Sequence, residues 1–173
     1  AIQRKENEVW IATNWGLFRY DKNKNAIRQY LHNPKDARSL TQNYLTDLAL
    51  TSDKQLLVAT LKGVNVYYPL TDDFDHLTSY ETTSGTRLNS NFINCLYIDD
   101  NRIWIGTETG GLNKLAPQRL SLKNYIHNKD NPNSLSANPV NAVYEDKRGS
   151  LWVGTVEGGL NHKEPDSEHF THY

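Results

Sequence analysis

One short cassette returns four times along the chain: VWIATNWGLF from Val9, LLVATLKGVNV from Leu56, IWIGTETGGLN from Ile103 and LWVGTVEGGLN from Leu151. With Trp10, Leu57, Trp104 and Trp152 as the phase marker, successive copies stand 47, 47 and 48 residues apart. A fixed period of this size means that one supersecondary unit has been stacked on itself. A second block keeps the same phase between cassettes: SLTQNYLTDLAL from Ser39, RLNSNFINCLYI from Arg87 and SLSANPVNAVYE from Ser134. It aligns Leu40 with Leu88 and Leu135, and Asn43 with Asn91 and Asn138.

Alternation of apolar and polar residues between turn residues divides each unit into four short strands. In the last unit these are expected near 140–144, 151–155, 160–163 and 169–173. Gly149 supplies the positive φ of the first hairpin, and the glycine pairs at 110–111 and 158–159 do the same for the next. Helical repeats would show a three-to-four periodicity, which is absent, and polar connectors such as HNPKDAR from His32 would break helices. The fold class is therefore all-β, a partial β-propeller of four-stranded antiparallel blades. The whole chain, 1–173, reads as one propeller fragment with units over 1–38, 39–86, 87–133 and 134–173. Aligning Trp10 with Trp152 sets Ala1 and Ile2 opposite Val143 and Tyr144, so the first unit is expected to lack most of its inner strand. That leaves about 3.7 blades, where closed propellers carry roughly 4 to 8. Terminal blades with no neighbour imply self-association, such as a homodimer through the exposed faces.

Composition narrows the function. The formal net charge of -1 gives no basic patch for nucleic acid. No stretch approaches the roughly 20 apolar residues of a membrane span, so direct membrane insertion is not expected. The single cysteine permits no internal disulfide. No signal peptide is seen and the chain lacks methionine, which suggests a processed or excised piece.

At the cassettes the sequence becomes specific. IWIGTETGGLNKL from Ile103 and VNAVYEDKRGSLWVGTVEGGLN from Val140 resemble the two-component regulator propeller repeat, and the resemblance extends over essentially the whole chain. It implies the periplasmic sensor region of a hybrid two-component system of the kind common in gut Bacteroidetes. There the propeller is followed by a β-sandwich, a membrane helix and a histidine kinase, parts not found in this chain. The implied role is recognition of carbohydrate breakdown products and relay to genes for glycan use. Leu57 in place of Trp, Ala12 and Ala59 in place of Gly, and the single glycines of the first two units depart from the pattern. These departures mark the cassette as scaffold.

Most recurring residues accordingly read as structural. Trp10, Trp104 and Trp152 are expected to pack between blades, the glycines to satisfy backbone geometry rather than cradle phosphate, and Asn43, Asn91 and Asn138 to shape turns. Cys95 reads as a small buried hydrophobe, and His32 and His127, which recur in phase, as loop-shaping residues. His162, His169 and His172 lie close together near the C-terminus but lack the companions of a zinc site, so no metal and no cofactor is expected. Nucleophile elbows, zinc helices and isolated carboxylate pairs are not seen. Asp99, Asp100, Glu145 and Asp146 occupy an equivalent hairpin and read as solvated turn residues, leaving no catalytic residue and no enzyme.

The connectors entering each inner strand and the loops between second and third strands emerge on one face, where the units differ. Trp15 is the outlier there. Its indole could stack on a sugar while Asn14, Lys62, Glu108 or Glu157 bond hydroxyls, which would make an oligosaccharide site. The plainer expectation is that Trp15 packs against the adjacent blade or its own connector. The leading functional expectation is a ligand-sensing, carbohydrate-responsive extracytoplasmic segment that shifts a dimer equilibrium read across the membrane. The alternatives are a structural or protein-interaction propeller and, more remotely, a propeller lyase or hydrolase.

Overall fold

In the computed structural model, residues 1–79, 87–99, 102–116 and 121–173 are described. Among them are sixteen strands in four antiparallel sheets of four. The first holds β1 (Ile2–Lys5), β2 (Glu8–Thr13), β3 (Gly16–Asp21) and β4 (Ala26–Tyr30); the second β5 (Leu45–Leu50), β6 (Leu56–Thr60), β7 (Gly63–Tyr68) and β8 (Asp73–Leu77). The third holds β9 (Ile93–Asp99), β10 (Arg102–Thr107), β11 (Leu112–Ala116) and β12 (Ser121–Tyr125); the fourth β13 (Val140–Glu145), β14 (Leu151–Thr155), β15 (Gly159–Lys163) and β16 (Thr171–His172). Strands follow sequence order within each sheet, and the inner strands β1, β5, β9 and β13 stand side by side in that order. Each sheet is thus a blade, and the four blades form an arc.

The sequence of β6 explains why blades stack. Successive side chains of a strand point to opposite faces. Leu56 and Val58 enter a core shared with Trp10, Leu17 and Tyr30 of the first blade, while Leu57 and Ala59 enter a second core with Ile93 and Ile105 of the third. A strand buried on both faces is apolar throughout, as LLVA is. A third core joins Trp104, Leu112 and Tyr125 to Leu135, Val153 and Phe170. Each core thus lies at a junction between blades, and each receives a leucine from the connector: Leu40, Leu88 or Leu135. Aromatic geometry sharpens the first junction, where the Tyr30 and Phe74 rings meet edge to face at 5.6 Å.

Repeated hydrogen bonds fix the connectors. Asn65, Asn113 and Asn161 are fully buried, and their side-chain oxygens accept the amides of Thr41, Asn89 and Ser136. Asn43, Asn91 and Asn138 accept the amides of His32, Ser79 and His127, as the turn-shaping expectation requires. The His32 and His127 rings donate through Nδ1 to the carbonyls of Leu40 and Leu135 at 2.6 and 2.7 Å.

Each of β5, β9 and β13 also carries a one-residue bulge, at Thr46, Asn94 and Asn141, the position left unpaired in the register. A bulge re-aims a side chain. Here the Thr46 hydroxyl reaches Ile93 O of the next blade at 2.8 Å, and the Asn94 amide reaches Val140 O at 3.2 Å.

Four expectations change. The first blade does have its inner strand, which is merely short, and its register is shifted by one: Gln3, not Ile2, takes the place opposite Trp10 that Tyr144 takes opposite Trp152. The cause is the tight turn at Glu6 and Asn7, where the fourth blade has the longer turn containing Gly149. Of the paired glycines only the second adopts positive φ, 71° at Gly111 and 73° at Gly159. The first is glycine for room, since a Cβ on Gly110 would lie 2.5 Å from Asn89 Oδ1. Trp152 is only partly buried and stacks on His162 of its own blade at 4.2 Å, because no further blade covers it. Glu145 is not a solvated turn acid; it is buried, accepting Trp104 Nε1 at 3.3 Å and pairing with Arg102. Burial raises its carboxyl above the usual range despite Arg102, with Asp99 adding to the effect. Asp99 also pairs with Arg102, Asp146 caps the Gly149 turn, and Asp100 lies outside the described residues.

Candidate functional site

Short hydrogen bonds place the second-to-third-strand turns beside the connector ends. The amides of Gly16, Gly63, Glu108 and Val156 donate to the carbonyls of Asn43, Asn91, Phe92 and Pro139. All of these turns therefore open on one edge of the arc, together with the residues that enter the inner strands. Asn14, Trp15, Lys62, Glu108 and Glu157 are all exposed there, distributed over the four blades.

Trp15 does not pack against a blade or connector: its side chain is 73% exposed. Its backbone is nevertheless pinned, the amide donating to Thr13 Oγ1 at 3.0 Å and the carbonyl accepting Gln29 Nε2 at 2.8 Å. A fixed backbone carrying a free indole is a ready stacking platform.

Two further aromatics share this edge and are not evident from the sequence pattern. Tyr44 and Phe92, 52% and 51% exposed, each follow one of the recurring asparagines, where the fourth unit has Pro139. An aromatic at a position that the repeat does not bury is the signal that could have found them. Asn94 is a third addition. Its Nδ2 donates to Glu108 Oε2 at 2.8 Å while also bonding Val140 O and Asn141 Oδ1 of the next blade. Glu108 is thereby coupled to a blade junction.

A groove of about 600 Å³ lies elsewhere, between the connector residues Ile126–Asn131 and the pair Glu168 and Phe170. Asn133, which lines it, stands where the first connector has Arg38, which pairs with Asp73 and covers Tyr68. None of the five sequence-derived residues lines it. Among the described residues no group of three or more His, Cys, Asp or Glu is arranged to hold a metal. His172 Nε2 instead bonds Ser134 O at 2.7 Å, and His162 lies on Trp152.

Meander blades stacked by their inner strands, with the same positions sealing each junction, define this chain as part of a β-propeller. Residues 87–109 and 134–157 match the family described as two component regulator propeller. Among solved structures it is similar to the extracellular domain of a protein described as a hybrid two component system of B. thetaiotaomicron. That match has 27% identity and a TM-score of 0.78, over 98% of this chain and 22% of that one. A second such extracellular domain from B. thetaiotaomicron matches at 20% identity and a TM-score of 0.59, over 93% of this chain and 26% of the other, and speaks to the fold alone. The computationally designed Ika4 protein shares the fold at 16% identity and a TM-score of 0.63, over 94% of this chain and 88% of its own. The chain thus spans only about a quarter of the length of the two bacterial structures. No curated protein matches it.

Proposed function

We propose that this chain is a non-enzymatic, ligand-sensing segment of an extracytoplasmic sensor, and that its ligand is an oligosaccharide taken up on the edge carrying Trp15, Tyr44 and Phe92. Support for the sensor role comes from the repeat family and from the likeness to extracellular domains of hybrid two component systems. In a protein of that plan the segment lies in the periplasm and its ligand state is passed to a histidine kinase. The observation that carries the ligand class is the pinned, exposed indole of Trp15 on an edge that also offers amide, carboxylate and ammonium groups. Flat aromatic faces stack on sugar rings, and fixed polar groups bond the hydroxyls.

The link from Asn94 to both Glu108 and Val140 supplies a route to signalling. A hydroxyl that takes Glu108 competes with the Asn94 amide, which also bonds Val140 O and Asn141 Oδ1 across the junction between the third and fourth blades. A ligand shifts a conformational equilibrium only by binding one state better. Two states that differ in how Asn94 is shared between Glu108 and the fourth blade would bind such a ligand with different affinities.

A panel of oligosaccharides arrayed against the chain tests the reading, with any binder titrated calorimetrically. Trp15→Ala should abolish binding while leaving the unfolding midpoint unchanged, since an exposed side chain contributes within about 0.5 kcal/mol. Undiminished affinity in a Trp15→Ala, Tyr44→Ala, Phe92→Ala variant would refute it.

A further inference from the structure

The junction between the first and second blades and that between the third and fourth are built on one frame. Arg19 lies over the Trp10 ring at 5.4 Å and Arg28 over Tyr30 at 4.9 Å. Lys114 and Lys123 take the same places over Trp104 and Tyr125, at 5.2 and 5.1 Å. Phe170 meets Tyr125 edge to face at 5.6 Å, as Phe74 meets Tyr30. Both junctions lie between blades that this chain itself supplies.

Within that frame a single carboxylate closes the first junction. Asp72 accepts the Tyr30 and Tyr67 hydroxyls, each at 2.6 Å, and pairs with Arg19 and Arg28. At the third junction Lys163 stands in place of Tyr67 and Glu168 in place of Asp72. Asp72 adopts a positive φ of 56°, and Glu168 does not. The Glu168 carboxylate pairs with Lys123, and its side chain is 61% exposed against 26% for Asp72. Asp99 and Glu145 are both taken by Arg102. Among the described residues Lys114 and Lys163 are thus left without a carboxylate partner. Lys163, 6% exposed, donates to Glu164 O at 3.0 Å. The Tyr125 hydroxyl, which meets Lys123, has Glu168 near it only as a charge.

Packing does not require these ammonium groups, since Val66 and Leu115 hold the corresponding places at the second junction and join an apolar core. Burial holds Lys114 and Lys163 below the usual ammonium range, and neighbouring cations add to the effect. Buried ammonium groups without a counter-ion are costly and mark a place for an anion. The groove of about 600 Å³ reaches this place: Tyr125 and Glu168 line it, together with the side chains of Asn124, Asn128, Asn131 and Asn133. Lys129 and Asp130, also in its lining, offset each other in charge.

We propose that the third junction and its groove bind a carboxylate-bearing sugar, a member of the uronic acid class. The carboxylate takes the place that Asp72 fills at the first junction, received by Lys114, Lys163 and the Tyr125 hydroxyl. Charge-assisted bonds fix the acid end, and the ring hydroxyls lie in the groove against the asparagine amides. None of Asn14, Trp15, Lys62, Glu108 and Glu157 lines this groove, so the site is separate from the edge that carries Trp15.

Titration of the isotope-labelled chain with glucuronate, followed by two-dimensional NMR, tests this. The indole N–H of Trp104, which lies under Lys114, and the Asn124 amides should shift saturably, while glucose should leave them in place. Lys114→Met and Lys163→Met keep the apolar stem and should each weaken binding at least about tenfold. Lys54→Met removes an equal charge on the second blade, where Lys54 pairs with Glu6 of the first, and should leave the affinity unchanged. Trp15→Ala should leave it unchanged as well. Circular dichroism matching the wild type verifies the fold of each variant. No saturable shift, an equal response to glucose, undiminished affinity in either Lys114→Met or Lys163→Met, or loss of binding in Lys54→Met or Trp15→Ala would overturn the proposal.

Discussion

Replacing Asn65 by leucine isolates what holds a connector onto its blade. Asn65 is fully buried; its Oδ1 accepts the Thr41 amide at 2.8 Å, and its Nδ2 donates to Thr41 Oγ1 at 3.1 Å and Val58 O at 3.2 Å. Leucine has a similar volume, so little cavity is made and the loss is chiefly polar. Each bond contributes about 0.5–1.5 kcal/mol net, and an amide left without its acceptor costs about 1–3 kcal/mol. Burial of the leucine returns about 1.5–3 kcal/mol. The expected net destabilisation is about 2 kcal/mol. With a urea slope of about 2 kcal/mol per molar for a small protein, the unfolding midpoint falls by about 1 M. Hydrogen exchange localises the effect, since the Thr41 amide should exchange about 30-fold faster. Asn14→Leu, at an exposed position, is the control and should stay within about 0.5 kcal/mol. A midpoint unmoved by Asn65→Leu, with Thr41 still protected, would show that apolar packing alone seats the connector.

The acid limb of stability should depend on Asp72. Burial alone would raise its carboxyl, but the Tyr30 and Tyr67 hydroxyls with Arg19 and Arg28 hold it below the usual value, so its contribution is present above the unfolded pKa and lost as pH falls through the folded one. Asp72→Asn, the residue that Asn25 already places in the first blade, should flatten the stability profile below about pH 4, as denaturant midpoints across pH will show. Gly106→Ala should cost about 1–3 kcal/mol in thermal or urea unfolding, because the new Cβ meets Cys95 Sγ at 2.6 Å and Val140 Cγ1 at 2.7 Å. Cys95 should resist a thiol reagent until the chain unfolds, since burial, with the Asp47 carboxylate adding to it, pushes its thiol up to about 12.

Much of what repeats in phase was legible in the sequence. The period, the four strands per unit and the roles of Asn43, Asn138, His32 and His127 follow from local turn chemistry that each unit restates. What escaped depends on partners distant in the chain. Glu145 resembles any acid in a polar hairpin, and its burial is decided by Arg102 and Trp104 of the preceding blade. Trp152 occupies the same position as Trp104 in an almost identical cassette, yet one is enclosed and the other open, because burial there belongs to a pair of blades. At the candidate site the five sequence-derived residues do share an edge. The exposure of Trp15 was not legible, because a loop tryptophan can lie in or out, and Tyr44 and Phe92 were hidden beside asparagines that read as scaffold.

The alternation seen in β6, with Leu56 and Val58 facing one neighbour and Leu57 and Ala59 the other, bears on how such an array grows. No blade owns a core, so the inheritable module is half of one sheet, its connector and half of the next. A tandem duplication spanning one period copies a complete set of interlocking halves, wherever its ends fall within the repeat. The array can therefore lengthen by recombination without inventing a new interface, while a deletion out of register leaves two halves that do not mate.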